Sequence, residues 1–300
     1  MQKPSHYYYR FLETTSRSLA KIRPSQIFDE IYIKAKYQRI FNKKLNLKTP
    51  KTFNEKIQWL KLNDRNPLYT QLSDKHSVRE YIKEKINDPI LNELYGVYDN
   101  VEIIDFNKFP NQFVLKATHG CNWNIICEKK ELLDFEETKK ILNKWLTMNF
   151  YNLKGEWVYK DIPPKIICEK YLSGDQELGL VDYKFYCFNG IPKFIQVDID
   201  RFGNHKRSFY DEKWVLQDFS FDYPIFSKEI PKPSKFDQML EIAGKISRDF
   251  NFCRIDLYSF DDIVVFGEIT FYPMSGFAQY NPPEFDLILG NYLDINHTIS

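Results

Sequence analysis

The sequence has 300 residues, enough to bury a substantial core, and its 42 Lys and Arg residues against 41 Asp and Glu residues give a formal net charge of +1. A charge this close to zero excludes the global positive field with which many proteins bind nucleic acid, so no nucleic-acid partner is expected. The five cysteines show no C-x-x-C spacing, which argues against a disulfide framework or a zinc site.

Residues 1–62 are predicted to form a helical extension. Apolar residues recur at three-to-four spacing in I-F-D-E-I-Y-I-K-A-K-Y-Q-R-I-F, and Thr52 with Glu55 makes a capping box. Charges interrupt the first thirty positions, so no signal-peptide core is expected and a cytoplasmic location is predicted. Residues 1–51 carry twelve Lys and Arg residues against three acids. This positive segment could bind the inner face of an anionic membrane, could contact polysaccharide machinery, or could be an ordinary solvated surface.

The next hundred residues mix helices and short strands. A helix is predicted over residues 73–85, with Ser73 as its N-cap and Pro89 marking its end. Strands are predicted for L-Y-G-V-Y-D and Q-F-V-L-K-A-T, and a polar helix for D-F-E-E-T-K-K-I-L-N-K-W-L-T-M. We divide this part into an N-terminal subdomain, 63–110, and a small lid subdomain, 111–165.

Residues 166–300 are predicted to form a strand-rich C-terminal subdomain. It contains K-I-I-C-E-K-Y-L, two strands joined at Asn189-Gly190, an amphipathic helix over 236–250, and a strand pair joined at Asp261-Asp262. This order of elements predicts an α+β fold with mainly antiparallel sheets. Neither G-x-x-x-x-G-K-[ST] nor G-x-G-x-x-G occurs, so a nucleotide would have to be held by another kind of loop.

Two carboxylates are predicted to converge on the last strand pair. Asp256 in R-I-D and Glu268 in E-I-T lie on neighbouring apolar strands, and alternation puts Arg254 on the face of Asp256 and Thr270 on the face of Glu268. Two neighbouring carboxylates repel each other unless a cation lies between them, and magnesium with phosphate oxygens is the usual solution. The alternative is that all four residues are exposed strand positions.

R-I-D-L-Y followed by F-G-E-I-T-F-Y-P resembles the metal motif of the ATP-grasp superfamily, as in D-alanine–D-alanine ligases. V-L-K-A-T-H-G resembles the strand that carries a lysine in that superfamily, together with its phosphate loop. E-K-Y-L-S-G resembles the hinge that holds adenine. D-K resembles an earlier pair whose lysine approaches the nucleotide. From about residue 47 onward the chain is similar to the TupA-like, teichuronopeptide-biosynthesis branch. P-K-T-F-N-E-K-I-Q-W-L, S-D-K-H-S-V-R-E-Y-I, D-Y-K-F-Y-C-F-N-G and G-E-I-T-F-Y-P-M-S-G-F carry this similarity, together with the lysine strand.

The resemblance implies an ATP-grasp fold whose antiparallel sheets enclose ATP and Mg²⁺, and it assigns residues by position. The implied phosphate-binding residues are Lys75, Lys116, Thr118, His119, Gly120 and Asn122. The implied adenine and ribose contacts are Glu169, Lys170, Tyr171, Leu172 and Glu177. The implied metal ligands are Asp256, Glu268 and Thr270, and the residues proposed to act on substrate or intermediate are Arg254, Lys184 and Arg201.

Several of these assignments have alternatives. Thr270 stands where the superfamily has a metal-binding asparagine, so the second metal ligand is open. The loop T-H-G-C-N-W-N has fewer glycines than usual. Lys184 and Arg201 could equally be surface charges, and a lone loop histidine such as His119 is more often a bystander than a general base.

The resemblance implies an ATP-dependent carboxylate–amine ligase that forms an amide through an acylphosphate. The implied partners are a uronic acid of a cell-surface polysaccharide or its precursor and an amino acid or amine. Three alternatives stay open: a sugar or metabolite kinase, a nucleotide-binding scaffold, and a glycosyltransferase using Asp198-Ile199-Asp200 as a D-x-D metal motif.

Overall fold

The computed structural model describes residues 6–174, 178–200, 203–260 and 262–296. Three helices begin the chain: α1 (His6–Ile22), α2 (Gln26–Phe41) and α3 (Phe53–Asn63). The Ser25 side chain accepts from the backbone N–H of Ile27 at the start of α2, and the predicted capping box of Thr52 and Glu55 is confirmed at the start of α3. α1 and α2 pack against each other as a helical pair.

The predicted helix over residues 73–85 is two helices, α4 (Leu68–Ser73) and α5 (Val78–Lys85). The prediction that Ser73 caps a helix was wrong, since Ser73 is the last residue of α4. Asp74 lies in the turn instead, where its carboxylate accepts from the backbone N–H of His76 at 2.9 Å and from the Ser77 hydroxyl at 2.8 Å. Asp74 therefore stabilises a turn that carries Lys75 between the two helices.

A four-stranded antiparallel sheet follows in the order β1-β4-β2-β3. Its strands are β1 (Leu94–Tyr98), β2 (Phe113–Ala117), β3 (Asn124–Cys127) and β4 (Ile166–Lys170), and the helices between β3 and β4 are α6 (Phe135–Leu146) and α7 (Phe150–Lys154). Phe113, Leu115 and Leu142 lie in one apolar core with Val101 and Phe106. The sheet combines strands from all three predicted subdomains, 63–110, 111–165 and 166–300. The division into these subdomains stays a prediction.

A six-stranded antiparallel sheet forms the C-terminal half in the order β11-β10-β5-β6-β7-β8. Its strands are β5 (Asp182–Phe188), β6 (Ile191–Ile199), β7 (Lys206–Asp211), β8 (Leu216–Gln217), β10 (Phe252–Phe260) and β11 (Ile263–Thr270). A separate pair is formed by β9 (Ser220–Phe221) and β12 (Tyr280–Asn281). The helices of this half are α8 (Phe236–Ser247) and α9 (Phe285–Tyr292). Short 3₁₀ turns occur at Val101–Ile103, Phe106–Lys108, Lys130–Leu132 and Trp157–Tyr159, and a turn with positive φ angles occurs at Pro273–Gly276.

The predicted hairpin at Asn189-Gly190 is confirmed, with positive φ angles of 48° and 80° at its two turn residues, as a tight two-residue turn requires. Asp261 of the second predicted turn lies outside the described residues. The α+β fold with mainly antiparallel sheets is confirmed. No helix in the described part of the chain is long and apolar enough to cross a membrane.

One face of the six-stranded sheet is apolar and the other carries charges. α8 packs against β5, β6 and β10 on the apolar face, where the Cys187 thiol lies 3.9 Å from the carbonyl oxygen of Ala243. Alternation along β5 therefore turns Asp182, Lys184 and Tyr186 to the opposite face. This charged face is where the candidate site lies.

Candidate functional site

Asp256 and Glu268 are directly opposite each other on β10 and β11, as predicted, and Arg254 is opposite Thr270. The pairing contains a β-bulge, because the next partners are Leu257 and Phe266, which leaves Gly267 as the extra residue. A Cβ atom at Gly267 would lie only 3.0 Å from the carbonyl oxygen of Asp256. Glycine therefore permits the close approach that brings the two carboxylates together.

Three cationic side chains surround the two carboxylates. The Arg254 guanidinium donates to both oxygens of Asp256, at 2.7 and 2.8 Å, and lies 3.5 Å from Glu268. Lys184 Nζ lies 2.8 Å from Asp256, and Lys75 Nζ lies 3.3 Å from Glu268. Asp256 is 2% exposed, so its charge depends on these partners.

These cations affect the two carboxylates differently. Burial raises the pKa of Asp256, although Arg254 and Lys184 oppose the rise. Burial would also raise the pKa of Glu268, but Lys75 and Arg254 outweigh it and lower that pKa to about 2. Glu268 is therefore a firmly ionised carboxylate at neutral pH, beside a more deeply buried partner.

The oxygen donors of this pair fit magnesium bound together with a phosphate. Mg²⁺ prefers hard oxygen ligands and is commonly held by one or two carboxylates plus substrate phosphates. Among the residues that the structure describes, no cluster of three or more His, Cys, Asp or Glu side chains could hold a metal alone. The third predicted ligand, Thr270, has its hydroxyl 3.1 Å from an Arg254 nitrogen, from which it accepts a hydrogen bond. Asp256 and Glu268 would therefore be the carboxylates that hold a metal here, in exchange for their present contacts with Arg254, Lys184 and Lys75.

The turn with Lys75 is joined to the predicted phosphate loop. The backbone N–H of Lys75 donates to the carbonyl of Thr118 at 3.2 Å, and Lys75 Nζ donates to the carbonyl of Gly120 at 2.8 Å. Asn122 adopts a positive φ of 60° in the same loop. Lys75 therefore links the loop after β2 to Glu268 on β11, a connection across three separate parts of the chain.

His119 is buried in this loop and faces α6. Its Nε2 lies 3.0 Å from the carbonyl oxygen of Trp145, and its ring meets Trp123 edge to face. Burial lowers the pKa of His119, so the imidazole is neutral near pH 7. This environment favours a packing role over general base catalysis.

Lys116 on β2 pairs with Glu169 on β4. Lys116 Nζ lies 2.7 Å from one carboxylate oxygen of Glu169, and Arg79 on α5 lies 3.1 Å from the other. Glu169 is buried between the two cations. It therefore fixes the position of Lys116 and ties α5 to the four-stranded sheet.

A cleft of about 1070 Å³ opens between the two sheets, a size that admits a nucleotide. Four of the predicted nucleotide contacts line it: Lys116, Lys170, Tyr171 and Leu172. Asp182, Asp200 and Tyr258 line its other side, whereas Lys75, Glu169 and the loop residues from Thr118 to Asn122 do not. The predicted contacts Glu177 and Arg201 lie outside the described residues.

Sequence reasoning missed part of the polar face on β5 to β7. Asp182 is buried, lines the cleft and forms an ion pair with Lys184. The alternation in D-Y-K could have identified it, because it places Asp182 on the same face as Lys184. Lys184 therefore bridges Asp182 and Asp256, which accounts for its burial.

The two acids of the D-x-D motif, Asp198 and Asp200, lie in different environments, one buried and one exposed. Asp198 is buried on β6, where the Arg207 guanidinium donates to both its oxygens at 2.7 and 3.3 Å. Burial alone would raise the pKa of Asp198, but Arg207 lowers it below its usual range. Asp200 lies beyond the strand, is exposed and accepts from the backbone N–H of Asn204. The two acids therefore do not form a paired metal site.

A second feature that the sequence did not reveal is a polar stripe on α3. Asn54, Gln58 and Lys61 are buried and bind the backbone just after β11. Gln58 Nε2 donates to the carbonyls of Ser275 and Gly276 at 3.0 and 2.7 Å, and Lys61 Nζ donates to that of Ser275 at 3.0 Å. Asn54 exchanges two hydrogen bonds with the backbone of Ala278.

This stripe holds a turn with unusual backbone geometry. Met274 and Ser275 have positive φ angles of 48° and 57°, which side chains other than glycine adopt at a cost. The backbone N–H of Ser275 donates to the carbonyl of Tyr272 at 2.8 Å, so it is engaged within the turn. This N–H group is therefore not available to stabilise an acylphosphate.

Comparison with solved structures gives weak similarities. D-alanine–D-alanine ligase from Bacillus anthracis is 16% identical over 74% of this chain and 63% of its own, with a TM-score of 0.45. An L-amino acid ligase from Bacillus licheniformis is 12% identical over 80% and 55%, with a TM-score of 0.43. The ATP-grasp ligase PsnB bound to its minimal precursor is 12% identical over 88% and 71%, with a TM-score of 0.40.

The chain spans about half the length of another D-alanine–D-alanine ligase structure from Bacillus anthracis, 53% of it. With TM-scores below 0.5, these similarities assign neither a reaction nor a substrate. No curated protein matches the chain.

The sequence model of the TupA-like ATP-grasp family matches residues 55–294, which is most of the chain. The match includes both sheets, the Lys75 turn, the loop after β2 and the carboxylate pair. The chain therefore belongs to the TupA-like ATP-grasp family.

Proposed function

We propose that this protein is a Mg-ATP-dependent carboxylate–amine ligase that forms an amide through an acylphosphate and releases ADP and phosphate. The observation that supports it most strongly is the direct opposition of Asp256 and Glu268, with Lys75, Lys184 and Arg254 around them. The pair lies on the sheet face that also carries Asp182 and Tyr258 into the cleft. Family membership supports the use of ATP.

The proposed roles follow from charge and position. Magnesium, when bound by Asp256 and Glu268, would offset charge on the β- and γ-phosphates. Lys116 would neutralise phosphate oxygens from the four-stranded sheet, where it lines the cleft, and Lys75 would do so from the turn between α4 and α5; Asp256, Glu268 and Lys75 do not themselves line the cleft. Tyr171 and Leu172 would pack on the adenine, as the hinge position implies. Lys75 and Lys116 are already held in place by named partners, Lys75 by Gly120 and Glu268 and Lys116 by Glu169.

The chemical step requires a carboxylate acceptor. One of its oxygens attacks the γ-phosphorus, the bond to the β-phosphate oxygen breaks, and ADP leaves. An amine nitrogen then attacks the acyl carbon, phosphate leaves, and the amine loses a proton. We assign Arg254 to stabilise the acylphosphate, because its guanidinium lies beside the carboxylates and a planar fork of donors suits phosphoryl oxygens.

We propose a uronic acid of a cell-surface polysaccharide or its precursor as the acceptor, and an amino acid or other amine as the nucleophile. A uronic acid supplies the carboxylate that the reaction needs, and the resemblance to the teichuronopeptide-biosynthesis branch motivates this choice. We place the reaction in the cytoplasm, where ATP is available.

The test is mass spectrometry of the products formed from Mg-ATP, an amino-acid pool and uronic-acid oligosaccharides. The ligase should give a product with the mass of acid plus amine minus water, together with ADP. Hydroxylamine in place of the amine should trap the acylphosphate as a hydroxamate. A phosphorylated sugar formed without any amine requirement would instead identify a kinase, and product formation from a nucleotide sugar without ATP would identify a glycosyltransferase.

A further inference from the structure

The first helix, α1, packs through a polar face and leaves an apolar face in solvent. Its buried residues are Ser16, Arg17 and Ala20. By contrast, Tyr7, Phe11 and Ile22 are 81%, 64% and 85% exposed. Tyr7, Phe11 and Ile22 lie at i, i+4 and i+15, so they share one side of the helix. Much of the apolar surface of α1 therefore faces solvent, whereas the apolar stripe of a surface helix usually faces the core.

Polar contacts explain how α1 is held in this orientation. The Glu13 carboxylate pairs with the Arg39 guanidinium on α2, with nitrogen–oxygen distances of 2.5 and 3.0 Å. Arg17 donates to Asp29 on α2 at 2.8 Å, and Asp29 also accepts from the Tyr151 hydroxyl at 2.9 Å. The outward direction of the apolar stripe is therefore fixed by buried ion pairs.

A further exposed apolar residue lies at the start of α2. Only residues 23–25 separate the two helices, so Ile22 at the end of α1 and Ile27 at the start of α2 lie at the same end of the helical pair. Ile27 is 68% exposed. Together Tyr7, Phe11, Ile22 and Ile27 form what we call the outer apolar surface.

The charge around this surface is strongly positive. Arg10, Lys21 and Arg23 are exposed on or beside α1. All three acids of residues 6–51 are already paired with cations: Glu13 with Arg39, Asp29 with Arg17, and Glu30 with Lys34. The cations bordering the outer apolar surface therefore remain available to an anionic partner.

We propose that the outer apolar surface and the cations beside it dock this protein onto an anionic lipid membrane. A helix with aromatic and aliphatic residues on one side and Lys or Arg beside them lies in the plane of the lipid headgroups, with its apolar side inserted. A second copy of the chain fits this surface less well, since it would bring two clusters of like charge together. The surface lies outside residues 55–294, the part that matches the family.

This docking is independent of the reaction that the site performs. It gives a role to the helical pair, which contributes no strand to either sheet. The conformation of the two sheets need not change for it to occur.

Flotation of the full chain with lipid vesicles tests the proposal. Vesicles of phosphatidylcholine mixed with phosphatidylglycerol should carry the protein, whereas vesicles of phosphatidylcholine alone should carry much less. Higher salt should weaken the binding. Each cation neutralised in Arg10→Gln, Lys21→Gln and Arg23→Gln should weaken it about fivefold, and Phe11→Ser with Ile22→Ser should weaken it at least as strongly.

The control variants are Ile103→Ser and Lys140→Gln, which remove an exposed apolar residue and an exposed cation outside the outer apolar surface and outside the cleft. They should bind like the wild type. Circular dichroism and ATP turnover, measured on every variant, separate loss of docking from loss of fold or of the proposed reaction. Equal binding to both kinds of vesicle, or equal loss in the control variants, would overturn the proposal. So would a dimer in sedimentation that Phe11→Ser dissociates.

Discussion

Lys75 Nζ lies 3.3 Å from Glu268 and 2.8 Å from the carbonyl oxygen of Gly120, so one side chain connects the β11 carboxylate to the loop after β2. Lys75 is largely buried, and its partner Glu268 raises its pKa against the effect of burial. The lysine therefore stays charged in the site. Phosphate oxygens placed between Glu268 and the loop would meet this charge directly.

Removing this charge should impair nucleotide use. We expect Lys75→Ala to lower kcat/KM for ATP by about a hundredfold, because a preorganised cation at a phosphoryl group stabilises developing charge. Lys83→Ala is the matched control, since Lys83 is exposed on the following helix, where it pairs with Glu80. Steady-state kinetics with varied ATP would measure both, and equal kinetics in the two variants would remove Lys75 from the site.

The polar stripe on α3 should contribute to stability. Gln58→Ala removes the donors to two buried carbonyls of the turn after β11, so we expect a loss of about 1–3 kcal/mol in the free energy of unfolding. Asn63→Ala, at an exposed position of the same helix, should change it by less than about 0.5 kcal/mol. Urea denaturation measures both. A Gln58→Ala protein as stable as the Asn63→Ala protein would contradict this role of α3.

We predict that Asp198 stabilises the fold and that Asp200 does not. Asp198→Asn leaves Arg207 buried without its charged partner, so we expect a loss of about 3–5 kcal/mol. Asp200→Asn, at an exposed position, should change stability little. Denaturation curves and a nucleotide-sugar binding assay would be measured on both. Two stable variants that both lose nucleotide-sugar binding would support a D-x-D metal site instead.

The low pKa of Glu268 makes a prediction about acid stability. A carboxyl whose pKa falls to about 2 on folding stabilises the native state above its usual pKa, and this stabilisation disappears as the pH falls from about 4.5 towards 2. The stability difference between the wild type and Glu268→Gln should therefore shrink between about pH 6 and about pH 3.

Urea midpoints at both pH values measure that difference, and Glu241→Gln, at an exposed ion pair on α8, is the control. A difference that grows as the pH falls would show that Glu268 is not held ionised by Lys75 and Arg254.

The parts of the fold that the sequence predicted are local in the chain. The hairpin at Asn189-Gly190 and the opposition of Asp256 and Glu268 both follow from alternation and short turns. The helix boundary at Ser73 was wrong, because Asp74 offers the backbone N–H of His76 a competing turn. Such local competition between turn and helix is weakly encoded in the pattern of apolar residues.

Contacts between distant parts of the chain could not be predicted in the same way. Gln58 and Gly276 are 218 positions apart, and nothing in the periodicity of α3 shows that its polar stripe meets a turn. Likewise, the spacing of Asp198 and Asp200 resembles a metal motif until Arg207 is placed opposite Asp198 on β7. The tertiary partner decides the role in both cases.

The most direct test of the central claim is Mg-dependent ADP release measured on the wild type, Asp256→Asn and Glu268→Gln, with Glu241→Gln as the matched control. If Asp256 and Glu268 hold the magnesium that binds ATP, both site variants should lose turnover by at least about a hundredfold while the control keeps it. Turnover that persists in both site variants at the rate of the wild type would contradict the account.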